Sequence, residues 1–223
     1  MFVLALDTSS PAVTAGVVTV VDAAPDTVVL AAERTALAVR GHGELLAPSV
    51  DDALREAGIA PGDLAAVVVG TGPGPYTGLR VGLVTAAVFA DLLDIPAYGV
   101  CSLDAIGRAC ADEPSLLVAS DARRREVYWA RYEHGVRAGD PAVDKPAEVP
   151  LAGVTAIAGA GGELYAEVWP ELRRRAERYP DPVALVRVAL ERIVGRDESD
   201  PLTPLYLRRP DAVAPGAPKP VSQ

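Results

Sequence analysis

Cysteine and histidine are scarce in this 223-residue chain, with Cys101 and Cys110 the only thiols and His42 and His134 the only imidazoles. Two cysteines build neither a disulfide framework nor a C-x-x-C zinc spacing, so a reducing compartment is expected. The two histidines form no H-x-x-x-H pair, which excludes a histidine metal site built within the chain. Neither lies beside a G-x-S-x-G elbow or a reactive cysteine, so hydrolytic triads find no support. Positive charge is also short: 21 Lys and Arg against 30 Asp and Glu leave a net charge of -9. Phosphate contacts need cations to displace counterions, so such a chain does not grip nucleic acid over its whole surface. Long apolar runs are missing too. The longest, Val81 to Ala90, is bounded by Arg80 and Asp91, and is about half of the roughly 20 residues a spanning helix needs. Met1 to Leu6 is interrupted at Asp7 before it could serve as a signal-peptide core. A cytoplasmic protein with no membrane attachment is expected.

Half of the residues are apolar, enough for a substantial core in one or two domains. Twenty glycines and twenty prolines without a repeat period imply tight turns and rigid loops. Phe2 to Leu6, Thr14 to Val21 and Val28 to Arg34 are β-branched and apolar between turn residues, which predicts an antiparallel three-strand meander. From Gly43 the period changes: Leu45, Leu46, Ser49, Val50, Ala53, Leu54 and Ala57 recur at helical spacing, and Gly58 sits at the stop. Leu64 to Val69, a helix from about Gly78 to Leu93 and Ala97 to Val100 make a βαβ unit, the building block of parallel sheets. The second half repeats strands before helices. Ser102 to Pro114 reads as a crossing helix, Leu116 to Ser120 and Glu126 to Tyr132 as strands, Gly135 to Pro150 as an irregular loop or hairpin, Thr155 to Ala158 as a strand, and Val183 to Val194 as the last helix.

Asp7-Thr8-Ser9 follows the first strand, where a carboxylate, hydroxyls and backbone N–H groups could hold a hydrated metal ion and a phosphate. An Asx-type turn capped by its own hydroxyls is the competing and favoured reading of the tripeptide alone. The loop Gly70 to Thr77 fits neither phosphate cradle it invites. Gly74 is followed at P-loop spacing by Leu79-Arg80, and Pro75 stands where a dinucleotide turn needs its third glycine. It is a preshaped loop feeding a helix, with Tyr76 projecting outward and Arg80 in the first turn. His42 reads as a solvent or interface residue, and the triplets Arg123 to Arg125 and Arg173 to Arg175 as solvated faces able to touch a phosphate.

Leu4 to Ser9, His42 before a helix, the run Gly70 to Arg80, Asp121-Ala122-Arg123 and Glu126 to Trp129 together resemble the bacterial TsaB (YeaZ) family, from Met1 to about Pro210. The resemblance implies an α/β, actin-like and Hsp70-like ATPase fold of two related lobes, 1–102 and 103–210, with a disordered tail over 211–223. It implies a non-catalytic partner of TsaD, the paralogue that transfers threonylcarbamoyl to N6 of adenosine 37 in tRNAs reading codons that begin with A. The partner face would comprise Leu45, Leu46, Ser49, Val50, Tyr76, Arg80, Val81, Val84 and Val88, and isolated members self-associate through it. The ATPase TsaE is a further implied partner, and tRNA is met through the complex. The catalytic paralogue's histidine pair is replaced here by Cys101-Ser102-Leu103-Asp104-Ala105-Ile106. Asp121-Ala122-Arg123-Arg124 occupies the place of a glycine-rich second phosphate turn, where a Cβ obstructs close approach. A degenerate nucleotide site of Asp7, Thr8, Ser9, Gly159, Gly161 and Gly162 is therefore expected. It would hold no cofactor tightly, with ATP or ADP and magnesium at the partner interface left open. An active ATPase or small-molecule kinase of the same fold is the alternative, and a peptidase lacks a nucleophile and base pair in these motifs.

Overall fold

A computed structural model describes residues 1–37, 41–199 and 201–208, so the tail expected to be disordered lies outside the described residues. The first sheet is made of β1 (Phe2–Asp7), β2 (Ala12–Val20), β3 (Val28–Leu37), β4 (Leu64–Gly70) and β5 (Ala97–Val100). Its order is β3-β2-β1-β4-β5, with the first three antiparallel and the last two parallel to β1. The second sheet holds β6 (Leu116–Asp121), β7 (Val127–Glu133), β8 (Val136–Arg137), β9 (Ala142–Asp144), β10 (Ala156–Ala158) and β11 (Arg173–Arg174). From β8 and β9 inward it runs β7-β6-β10-β11, with β6–β7 antiparallel and β10 and β11 parallel. Strand for strand this is the pattern of the first sheet. The two lobes are therefore related, as an actin-like α/β fold requires.

Helix α1 (His42–Ala57) connects β3 to β4, and α2 (Tyr76–Leu93) connects β4 to β5. The predicted periodicity is realised in α1, whose Leu46, Ser49, Val50, Ala53 and Leu54 are buried, and Gly58 ends it in the left-handed conformation at φ 70°. Both helices cover one face of the first sheet, packing on Leu4, Leu6, Val67 and Val69. Helix α3 (Ser102–Ala109) follows the first sheet but packs on the second, placing Leu103 and Ile106 against Leu116, Val118 and Tyr132. The short α4 (Ala160–Leu164) follows β10, and α5 (Pro182–Gly195) follows the second sheet but returns to the first. There Leu185, Ala189 and Ile193 meet Val3, Ala5, Val68 and Tyr98. A division at residues 102 and 103 thus marks the first crossing of the chain, while α5, within 103–210, is physically part of the first lobe.

Among the described residues, α2 is long and apolar enough by length and composition to cross a membrane, with mean hydropathy 1.4. It is the crossover between two adjacent strands of one sheet and lies against that sheet. Its apolarity divides between the core and an outward stripe.

Arg173 and Arg175 depart from the solvated-face reading, while Arg174 is exposed as that reading expects. Glu113, 1% exposed, takes Arg173 Nη2 at 2.5 Å and Arg175 Nη1 at 2.6 Å, and Arg175 also pairs with Asp112 and Glu177. A carboxylate leaves water only when cations replace its hydration. Arg173 leads in holding the Glu113 carboxyl below its ordinary range, against the opposing effect of burial. A depressed carboxylate contributes stability that is present above its unfolded value and lost as pH falls through the lower folded one. Glu113→Gln is expected to cost about 2 kcal/mol at neutral pH and to flatten the acid limb of a urea-denaturation series. An unchanged acid limb would show that the cluster is unimportant.

Candidate functional site at the first turn and the outward face of α2

The Asp-Thr-Ser turn is closed by the chain's own groups. Asp7 is fully buried; its Oδ1 accepts the Ser9 N–H at 2.9 Å and the Ser9 hydroxyl at 2.7 Å, and its Oδ2 accepts the Ser102 hydroxyl at 2.6 Å. Ser102 Oγ in turn accepts the Gly72 N–H at 3.2 Å, so the turn is tied both to the glycine-proline loop and to the crossing helix α3. Burial raises the Asp7 carboxyl above its usual range, opposed by the Ser102 and Ser9 hydrogen bonds and by His42. These are the bonds of an Asx-type turn, and they occupy both carboxylate oxygens.

Thr8 is equally committed. Its hydroxyl donates to the Gly78 carbonyl at 2.8 Å and accepts the Gly82 N–H at 3.1 Å, bridging a pair that an α-helix joins directly. Gly74, Gly78 and Gly82 form a ridge at four-residue spacing, and a Cβ on them would lie 2.3 Å from the Ser9 carbonyl oxygen, 2.7 Å from that of Thr8 and 2.4 Å from Thr8 Oγ1 respectively. The glycines of this loop and helix are there because the first turn lies on them.

Gly159, Gly161 and Gly162 follow the same logic. A Cβ on Gly159, at φ 89°, would stand 2.1 Å from the Ala119 carbonyl oxygen. The Gly159 and Ala160 N–H groups donate to the carbonyls of Glu177 and Arg178 at 2.8 and 3.1 Å. This turn and the first turn face each other across a cleft of about 410 Å³, lined by Ser9, Ser10, Ser102, Asp121, Glu163 and Arg178 among others. Arg178 and Glu163 pair at 2.9 Å. Of the expected nucleotide-site residues only Ser9 lines this cleft, while Asp7, Thr8 and the Gly159 N–H bond within the frame behind it. Sequence reading missed Ser102; its only signal was a hydroxyl at the start of the crossing helix.

The expected partner face divides in two. Leu46, Ser49 and Val50 are buried in the first lobe's own core, with Leu46 only 1% exposed, and Leu45 and Val81 are half-buried beside them. An apolar stripe at helical period marks the buried side of an amphipathic helix, and here that side belongs to the sheet. Leu46, Ser49 and Val50 of α1 therefore point inward. On α2 the expectation differs in outcome: Val84 is 62% exposed, Val88 49% and Leu92 77%, with Ala87 also exposed. Tyr76 and Arg80 stand at the start of this stripe. The Arg80 guanidinium lies 3.8 Å over the Tyr76 ring and bonds its hydroxyl, and Tyr76 stacks on Tyr206 at 4.9 Å. Tyr206 belongs to an extended segment that no periodicity announced. His42 is half-buried, its Nε2–H donating to the Ser10 carbonyl at 2.9 Å.

Fold and site define a class: a two-lobed actin-like α/β protein whose first phosphate-type turn is filled from within and whose connecting helix α2 carries an uncovered apolar stripe. A family model described as TsaD, tRNA N6-adenosine threonylcarbamoyltransferase, matches residues 35–165. A solved structure of YeaZ from Pseudomonas aeruginosa superposes with a TM-score of 0.75 at 28% identity, covering 92% of this chain and 99% of that one. The tRNA threonylcarbamoyladenosine biosynthesis protein TsaB of Bacillus subtilis is 36% identical over 135 residues, 60% of this chain and 56% of that protein. An uncharacterized protein of Mycobacterium tuberculosis is 48% identical over 212 residues, 94% of this chain and 93% of that protein. The chain belongs to the TsaB (YeaZ) family.

Proposed function

We propose that this chain acts in tRNA threonylcarbamoyladenosine biosynthesis as a non-catalytic subunit that binds TsaD and holds it in its competent arrangement. The observation that carries the reading is the α2 stripe of Val84, Ala87, Val88 and Leu92, apolar and uncovered on a helix whose other side is core. Contiguous exposed apolar surface of this kind is the mark of an interaction site. A paralogous lobe carrying the matching helix covers it with a like surface, and a second copy of this chain does the same when the paralogue is absent. TsaE joins the assembly, and tRNA is met through it, in the cytoplasm.

The internal bonding of Asp7, Thr8 and the Gly159 turn supports a subunit that holds no nucleotide tightly by itself. ATP or ADP with magnesium then enters only at the partner interface. An active ATPase or kinase is less well supported, because the Asp7 carboxylate it would use is fully buried and hydrogen-bonded within the turn.

Val84→Asp combined with Val88→Asp is expected to abolish co-elution with the TsaD of the same organism in size-exclusion chromatography. Both positions face outward, so the melting temperature should stay within a few degrees of wild type. A variant that still co-elutes fully would refute the α2 docking face.

A further inference from the structure

We propose that the face covered by TsaD is built from two elements, α2 and the extended segment 201–208, with Tyr206 as its aromatic anchor and Arg80 beside it as the seat for a carboxylate of the partner helix; this rests on the function just proposed. After α5 the chain runs along the edge of the first sheet, where Ser199 Oγ accepts the Ala97 N–H at 2.9 Å and Leu202 packs against the first core. It then crosses the loop that opens α2, the Leu205 N–H donating to the Thr71 carbonyl at 2.8 Å. It ends on the second lobe, where Leu207 packs against the core and Arg208 donates to the Ala122 carbonyl at 2.8 Å. In extended chain, successive side chains point to opposite faces. With Leu205 and Leu207 half-buried, Tyr206 between them points outward and is 37% exposed.

The exposed ring is nevertheless held. It stacks on Tyr76, and its hydroxyl accepts the Arg80 Nε–H at 3.3 Å, while the Arg80 guanidinium covers the Tyr76 ring. Two rings and a guanidinium thus fix one another at the surface. Binding must freeze exposed side chains, and these three are already frozen, which lowers the cost of covering them. Tyrosine and arginine are also the residues that carry the anchors of protein interfaces. The cluster opens the ridge Tyr76, Arg80, Val84, Val88 and Leu92, a row at four-residue spacing of the kind a packed helix meets. Further along the same helix the segment lies alongside again, where Leu202 and Ile95 wall a groove of about 570 Å³ against Val84, Ala87 and Ala90. The segment therefore borders the stripe at both ends.

Charge describes the occupant. Arg80 and Asp91 are exposed and bound the apolar stretch of α2, and among the described residues neither meets an oppositely charged side chain. A helix of TsaD lying antiparallel to α2 satisfies both, setting a carboxylate on Arg80, a cation on Asp91 and apolar side chains on Val84 and Val88 between them. Arg80 Nε and Nη2 donate to the two tyrosine hydroxyls, which leaves Nη1 for the carboxylate. A guanidinium can stack on a ring and pair with a carboxylate at once, as an ammonium cannot. A second copy of this chain offers the same charges and is the competing occupant.

The test titrates the TsaD of the same organism with wild type, Tyr206→Ala, Tyr206→Phe and Arg80→Gln by calorimetry at low and high salt, and sediments each chain alone. Tyr206→Ala is expected to weaken TsaD binding about thirtyfold, the size of a lost aromatic anchor. Tyr206→Phe keeps the stack and should stay within about fivefold of wild type. Arg80→Gln should cost about fivefold at low salt and less at high salt, because ions screen an exposed charge pair. If alanine lowers the melting temperature, Tyr206→Leu, which fills the space without a ring, repeats the test and should also weaken binding. Wild-type affinity in a folded Tyr206→Ala chain overturns the anchor, and leaves the α2 face standing if Val84→Asp with Val88→Asp still abolishes binding. An Arg80→Gln loss that salt does not change overturns the carboxylate. Loss of self-association with TsaD affinity intact assigns the surface to a second copy and overturns the proposal. A wild-type chain that TsaD does not bind at all refutes the function proposed above, and the anchor with it.

Discussion

Leu46→Asp is expected to leave the first lobe unfolded, while Val84→Asp changes stability by no more than about 0.5 kcal/mol. The two leucine and valine positions looked alike in sequence, each apolar on an amphipathic helix. In the structure Leu46 is 1% exposed among Leu4, Leu6 and Val67, and Val84 is 62% exposed. Removing a buried leucine side chain costs about 2–5 kcal/mol through lost transfer and residual cavity. A carboxylate in its place adds a further several kcal/mol, because nothing nearby can pair with it. The sum is comparable with the whole stability of an ordinary domain, about 5–15 kcal/mol. Soluble yield, far-ultraviolet circular dichroism and a urea midpoint read the difference. A folded Leu46→Asp protein with a normal midpoint would show that α1 does not pack as described.

This contrast marks what was legible in the sequence. Strand and helix existence was legible because β-branched runs and a change to helical period are local signals, and the meander, the βαβ unit and the repeat of strands before helices all followed from them. Which side of α1 faces the sheet was not legible, since periodicity identifies an apolar stripe but not its neighbour. The return of α5 to the first lobe was hidden for the same reason. Arg175 was misread because its partners, Asp112, Glu113 and Glu177, gather around it only through the β10–β11 pairing and the end of α3. The glycines of the 70–78 loop were seen as a rigid feature. Their actual partner, the Thr8-Ser9 turn, lies some seventy residues away, as the Thr8 to Gly78 bond shows. Charge triplets were visible, but not that the second places Arg173 and Arg175 around the buried Glu113.

The second large effect is expected at Gly70, and it tests whether Asp7 holds the frame or performs chemistry. A Cβ at Gly70 would lie 1.9 Å from Asp7 Oδ2 and 2.5 Å from Ser102 Oγ, so alanine there must expel the carboxylate from its bonds. Overpacking costs about 1–3 kcal/mol, and the broken charge-assisted bonds add about 1.5–3 kcal/mol, giving roughly 4 kcal/mol for Gly70→Ala. Asp7→Ala removes the same bonds by another route. The double variant should therefore be more stable than the sum of the singles implies, by about 1–3 kcal/mol in a urea double-mutant cycle. Asp7→Asn separates frame from chemistry. Its amide retains an acceptor for Ser9 and offers a donor to Ser102, so on the function proposed above the tRNA-modifying activity of a complex with TsaD should persist. Because burial raises the Asp7 carboxyl in the folded state, its contribution to stability is present below the unfolded value and lost as pH rises through the folded one. Asparagine removes that component, so the variant's stability should fall less than wild type as pH rises from the unfolded carboxylate value through the raised folded one. Strict additivity in the cycle would deny the Asp7–Gly70 contact, and loss of all activity in a stable Asp7→Asn protein would return Asp7 to the catalytic reading.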